Sequence, residues 1–105
     1  MQDIRNKDIN LYIGLLKQDM KTKLNISTTK TILKEELQKI KVIGYNINKN
    51  EGMYKGIKEP SLNINFINTY NLTKKQLIET IKTIKARLEQ ESILLTIKPI
   101  EYNFI

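Results

Sequence analysis

Two rhythms of apolar residues run along this chain, and the order in which they alternate limits the folds open to it. Ile9, Leu11, Ile13 and Leu15 recur at every second position, with Asn10, Tyr12 and Gly14 between them. A period of two belongs to a strand with one face buried. "STTKTILKEELQKI" then shifts to the helical period, placing Ile32, Leu33, Leu37 and Ile40 on one face and charges opposite. Ser27 or Thr28 can accept from the free amides at its start, so a helix is predicted over about 28–41. "VIGYNIN" reads as a strand, and "KNEGMYKGIKEP" as a turn-rich connection marked by Gly52, Gly56 and Pro60. "SLNINFIN" alternates cleanly, with Leu62, Ile64 and Phe66 on one side and Asn63 and Asn65 on the other. Thr73 and Gln76 then have the spacing of a capping box, with Leu72 and Leu77 placed as a hydrophobic staple. Leu77, Ile81, Ile84 and Leu88 form the stripe of this second helix, widened by Ile78. "SILLTIKPI" reads as a last strand that Pro99 stops or confines to an edge.

The order is βαββαβ. Two amphipathic helices need one apolar surface to cover, and a four-stranded sheet supplies it. The predicted fold is therefore α+β and ferredoxin-like, a four-stranded antiparallel sheet with two helices on one face. A length of 105 residues suits one domain over 1–105, with 1–7 as an N-terminal extension and 100–105 as a C-terminal tail. The opposite sheet face would carry Asn10, Tyr12, Asn63, Asn65, Thr96 and Leu94, with no element predicted to cover it. That face and the apolar tail Tyr102-Asn103-Phe104-Ile105 predict a homodimer or higher homo-oligomer.

Composition narrows the chemistry. The chain has no cysteine and no histidine. Thiolate metal sites, a zinc site and any triad built on those residues are excluded, and no cofactor is expected. No metal ligation is predicted either. Met1-Gln2-Asp3-Ile4-Arg5 has no apolar signal core, and no apolar run reaches the length of a membrane span, so a cytoplasmic protein in a bacterial host is expected. The net charge of +7 favours phosphate-bearing partners. It is nevertheless spread along the chain: residues 1–27 carry 5 basic and 3 acidic groups, 28–59 carry 7 and 4, and 60–105 carry 6 and 4. No basic tail appears, and a solvated lysine-rich surface explains the excess as readily as a nucleic-acid footprint.

Three groups of residues can carry function. "GMYKGIKE" sets Tyr54, Lys55 and Lys58 in a glycine-flanked segment that can approach phosphate, although it matches no Walker or dinucleotide fingerprint. Tyr12 and Lys21 add a ring and a charge nearer the N-terminus. Tyr12, Lys21, Tyr54, Lys55 and Lys58 are the predicted ligand contacts, aromatics for stacking and lysines for phosphate. Glu59 and Glu91 are the carboxylates able to do acid–base work if their environment allows it. Glu59, Gln90, Glu91 and Ser92 are read first as a structural polar cluster bridging the last strand to the Tyr54–Glu59 segment, and second as ligand-binding.

"LYIGL", "GMYKGIKEPSL" and "QESIL" together resemble a bacterial and phage domain family of unknown function. Its pattern is Gly-Leu in the first strand, Gly-x-Tyr followed by Glu, and Gln-Glu-Ser-Ile near the end. The matching positions are Gly14, Leu15, Gly52, Tyr54, Glu59, Gln90, Glu91 and Ser92. The resemblance is greatest to small phage or mobile-element accessory proteins. It implies a ferredoxin-like fold and no settled activity, and its context implies a small phage-type accessory protein, a kind that is often an anti-defence inhibitor. The absence of His and Cys, the basic surface and this context all favour binding over catalysis, so the leading expectation is a non-catalytic, phage-type binding protein that blocks a host defence protein or sequesters its nucleotide messenger. A nucleic-acid-binding module is the alternative, and a small enzyme using Glu59 or Glu91 is a third reading.

Overall fold

The computed structural model describes residues 3–16, 22–54 and 56–105. Its elements follow the expected order: β1 (Lys7–Gly14), α1 (Ile26–Lys39), β2 (Asn46–Tyr54), β3 (Ile57–Ile67), α2 (Lys74–Arg87) and β4 (Leu94–Pro99). The strands form one antiparallel sheet in the order β2-β3-β1-β4. This is the ferredoxin-like arrangement. The alternation read from β1 and β3 is what fills the core. Ile9, Leu11, Ile13, Leu62, Ile64 and Phe66 are buried beside Leu33 and Leu37 of α1 and Leu77, Ile81 and Ile84 of α2.

Helix α2 starts as its sequence signals. The Thr73 hydroxyl accepts from the Gln76 amide at 3.2 Å, and the Gln76 carboxamide oxygen accepts from the Thr73 amide at 3.0 Å. Helix α1 starts two residues earlier than predicted. Asn25 is its cap, accepting from the Thr28 amide at 3.0 Å through its side-chain oxygen. Several cap-competent residues follow one another here, and the most N-terminal one takes the position.

Both helices end in the same way. Lys41 (φ 63°) and Glu89 (φ 51°) adopt the left-handed conformation. After α1, the Lys41 amide donates to the Gln38 carbonyl and the Val42 amide to the Leu37 carbonyl, both at 2.9 Å. After α2, the Glu89 amide donates to the Ala86 carbonyl at 3.2 Å and the Gln90 amide to the Lys85 carbonyl at 3.0 Å. Each pair of bonds is a Schellman motif, which satisfies the last free carbonyls and turns the chain back on the helix. The motif spends Val42 as an apolar plug, so β2 begins at Asn46 and the strand expected from Val42 onward does not form there.

The "KNEGMYKGIKEP" segment is also more ordered than a turn-rich connection. β2 and β3 stay paired up to Tyr54 opposite Ile57, and Gly56 (φ 75°) sits in the tight turn between them. Pro60 does not interrupt the pairing. Its carbonyl accepts from the Leu15 amide at 2.9 Å, so its nitrogen also faces β1, beyond the last residue pair of that strand. No bond to β2 is lost.

Glu36 and Asn68 are buried polar residues that join separate parts of the chain. Glu36 accepts from Lys39 at 2.9 Å and from Arg87 at 3.2 Å, tying α1 to α2, and Arg87 also pairs with Glu35 at 3.1 Å. The hydrogen bond from Lys39 holds the Glu36 carboxyl below the usual carboxylate range, against the opposing effect of burial, with Arg87 adding to the lowering. Asn68 is fully buried and bonds the backbone at Ile4, Leu72 and Tyr70. In the tail, Tyr102 donates to the Asn6 side chain at 2.9 Å, while Phe104 and Ile105 stay exposed.

Candidate functional site

The face away from the helices is lined by amides in register. Thr96, Asn10, Asn65 and Asn46 form one row across the four strands, and Leu94, Tyr12, Asn63 and Asn48 form the next. Asn10 accepts from Asn63 at 3.2 Å and from Asn65 at 3.1 Å, while Asn65 and Asn10 both donate to the Asp8 carboxylate, at 2.7 and 3.0 Å. Asn63 and Asn65 also donate to the Leu11 and Ile9 carbonyls, both at 3.3 Å. The inner members, Asn10 and Asn63, are buried.

At one end of this face the network gives way to a different arrangement. β1 ends at Gly14, opposite Ser61. Glu59 precedes Ser61 by two residues, so the pleat puts it on the same face. Its carboxylate lies directly on the Gly14 backbone. A Cβ on Gly14 would collide with the Glu59 Oε1 atom and lie 2.8 Å from Cδ and 3.5 Å from the Gln90 Oε1 atom. Glycine is required here by the close approach of a side chain. Among the described residues none donates a hydrogen bond to Glu59, which is half-buried.

Gln90 reaches the same point from the end of α2. It is buried, and its Nε2 group donates to the Leu16 carbonyl at 2.9 Å and to the Leu88 carbonyl at 3.4 Å. Two carbonyl acceptors fix which end of the carboxamide is nitrogen. The oxygen is thereby left facing Gly14 and Glu59. Tyr12 lies on the same face as Gly14, one step back along β1, between Asn63 and Leu94.

The structure therefore brings together Gly14, Glu59 and Gln90 of the sequence-level candidates, with Tyr12 adjacent. Glu91 and Ser92 are exposed at the start of the link to β4. Lys21 and Lys55 lie outside the described residues, as do the side chains of Tyr54 and Lys58. Among the described residues no cluster of three or more acidic side chains could hold a metal ion, and no helix is long and apolar enough to cross a membrane.

No protein-family model matches this sequence, and comparison with curated proteins finds no match. The resemblance to a family of unknown function gains nothing from that side. Solved structures do match. A phage SAM lyase in complex with S-methyl-5′-thioadenosine superposes with a TM-score of 0.65 at 17% identity, covering 94% of this chain and 86% of that one. A phage SAM lyase in the apo state gives 0.64 at 20% identity, covering 93% and 85%. At these identities the likeness establishes the shared fold. It also agrees with the phage context expected from sequence, since both proteins are phage proteins.

The expectation of a non-catalytic protein is overturned by the same finding, because both matched proteins are enzymes. The absence of His and Cys excludes only mechanisms that use those residues as proton carriers or nucleophiles.

Proposed function

We propose that this chain binds and cleaves a sulfonium nucleoside of the S-adenosylmethionine class, releasing a thioether nucleoside, and that it serves a phage by depleting that metabolite against host defence. The observation that carries this reading is the half-buried Glu59 carboxylate lying on Gly14 beside the Gln90 oxygen. It occurs in a fold shared along nearly the whole chain with phage SAM lyase. A carboxylate with no described donor suits a cationic ligand.

The reaction needs no partner molecule. The electron pair of the broken bond goes to sulfur. The carbon it leaves is satisfied in one of two ways: the substrate's own carboxylate closes on it, or solvent water takes a proton from the neighbouring carbon to give an alkene. Glu59 contributes first to affinity. Positive charge disappears as the bond breaks, so a carboxylate beside it stabilises bound substrate more than the transition state. Tyr12 offers its ring to the base. A sulfonium nucleoside has no phosphate, so Lys21, Lys55 and Lys58, with Tyr54, are proposed as contacts to the substrate's carboxylate and sugar.

Purified protein incubated with S-adenosylmethionine is expected to release S-methyl-5′-thioadenosine, read by chromatography and mass. Glu59→Gln is expected to raise KM by about tenfold or more, as loss of one charge contact at an effectively intermediate dielectric would do. A wild-type protein that leaves S-adenosylmethionine intact would remove the proposal.

Self-association through the amide face is proposed alongside. Amides both donate and accept, so such a surface is complementary to a copy of itself. Light scattering is expected to give a mass of at least two chains, and a substitution of Leu94 by Lys to lower it; a wild-type monomer would remove this part.

A further inference from the structure

The two helix ends provide an internal comparison. In a Schellman motif the residue after the left-handed position usually makes an apolar contact back onto the helix. After α1 that residue is Val42, buried among apolar neighbours. After α2 the equivalent residue is Gln90, equally turned inward by its amide bond to the Lys85 carbonyl. Closing the helix needs no carboxamide there, as α1 demonstrates. The left-handed position is filled by a non-glycine at both ends, Lys41 and Glu89, so the two ends differ in the residue that follows it. A polar group has been placed where the local structure asks for an apolar one.

What the carboxamide does is visible in its two ends. Its nitrogen donates to the Leu16 carbonyl and so fixes the chain leaving β1 just beyond Gly14. Its oxygen is turned toward the point that the Glu59 carboxylate occupies. We propose that Gln90 is a positioning residue for Glu59. It holds the Gly14–Leu16 backbone as the bed on which the carboxylate lies, and it turns an acceptor rather than a donor toward that carboxylate. Glu59 is thereby left to be neutralised by the ligand, and the pair of acceptors selects a ligand carrying positive charge over its neutral counterpart. This rests on the functional reading above and adds the residue that sets its charge selectivity.

Two stable probes separate charge from shape. One is S-adenosylhomocysteine, the neutral thioether; the other is the analogue with an amine-bearing carbon in place of sulfur, which is cationic at neutral pH. Affinities for both are measured by calorimetry with wild type, Gln90→Leu and Gln90→Met. Wild type is expected to prefer the cationic probe by about tenfold or more. Both variants supply the apolar plug found after α1, so they are expected to fold, which a thermal melt checks. In them the ratio of the two affinities is expected to fall toward one. A merely structural role would weaken both probes together and leave the ratio in place, and that result in a folded variant overturns the inference while sparing the function. A wild-type protein that binds both probes equally also overturns it alone. A wild-type protein that binds neither overturns the inference and the functional reading together.

Discussion

Gly14→Ala is expected to raise the KM for S-adenosylmethionine by about tenfold or more, as Glu59→Gln does, and to leave the fold standing. The added methyl group would occupy the place of the Glu59 carboxylate, so something must move. The atoms it meets are the far end of a flexible side chain, and Glu59 can swing away at little energetic cost. The backbone at Gly14 is paired with Ser61 in ordinary antiparallel register and has no left-handed conformation to lose. Circular dichroism and the melting temperature should therefore stay near the wild-type values. The carboxylate is displaced from Gln90, and with it the feature that suits a cation. A folded Gly14→Ala protein with the wild-type KM would show that the carboxylate's position is irrelevant to function.

Asn68→Ala is expected to produce the opposite pattern, a large loss of stability with no direct effect on chemistry. Its side chain is fully buried and donates to the Ile4 carbonyl at 3.0 Å and to the Leu72 carbonyl at 3.1 Å, while accepting from the Tyr70 amide at 3.3 Å. Alanine removes all three partners at once. Backbone groups that stay buried lose their hydrogen bonds, a deficit of about 1–3 kcal/mol for each group left unsatisfied. The pieces held together are the segment before β1, the end of β3 and the approach to α2. Water entering the vacated space offsets part of the deficit, so the expected total is about 2–4 kcal/mol. For a chain of this size that corresponds to a fall in Tm of about 10–20 °C. Asn68→Ala melting within a few degrees of wild type would show that these bonds are replaced by solvent.

How far each feature could be read from sequence depends on how local its cause is. The order of elements was legible because the periods of two and 3.6 are carried by consecutive residues. The α2 cap was legible because Thr73 and Gln76 lie within one turn. The start of α1 was not, because Asn25, Ser27 and Thr28 are all competent caps and packing decides among them. The helix ends were missed because Lys41 and Glu89 take a position that sequence normally marks with glycine. Asn68 was missed for a related reason: one buried asparagine in an asparagine-rich chain looks like any other.

The candidate site was half legible. Gly14, Glu59 and Gln90 stood out in sequence, but nothing local says that they meet. Their meeting follows from the β1–β3 register, from the early end of β1 at Gly14, and from the turn that aims Gln90 inward. Gln90 is buried and its neighbours Glu91 and Ser92 are exposed, a difference that adjacency in sequence does not signal where a chain reverses. Composition was a poor ground for dismissing catalysis, since the absence of His and Cys excludes only mechanisms that need imidazole or thiol.

The central claim is the place at which a thioether nucleoside binds, and backbone amide NMR tests it most directly. Titration of the labelled protein with S-methyl-5′-thioadenosine is expected to shift the amides of Tyr12, Gly14, Leu15, Glu59 and Gln90, with little change along the exposed sides of α1 and α2. Shifts confined to the helices, or none at saturating ligand, would contradict the assignment of the Gly14–Glu59–Gln90 cluster as the site.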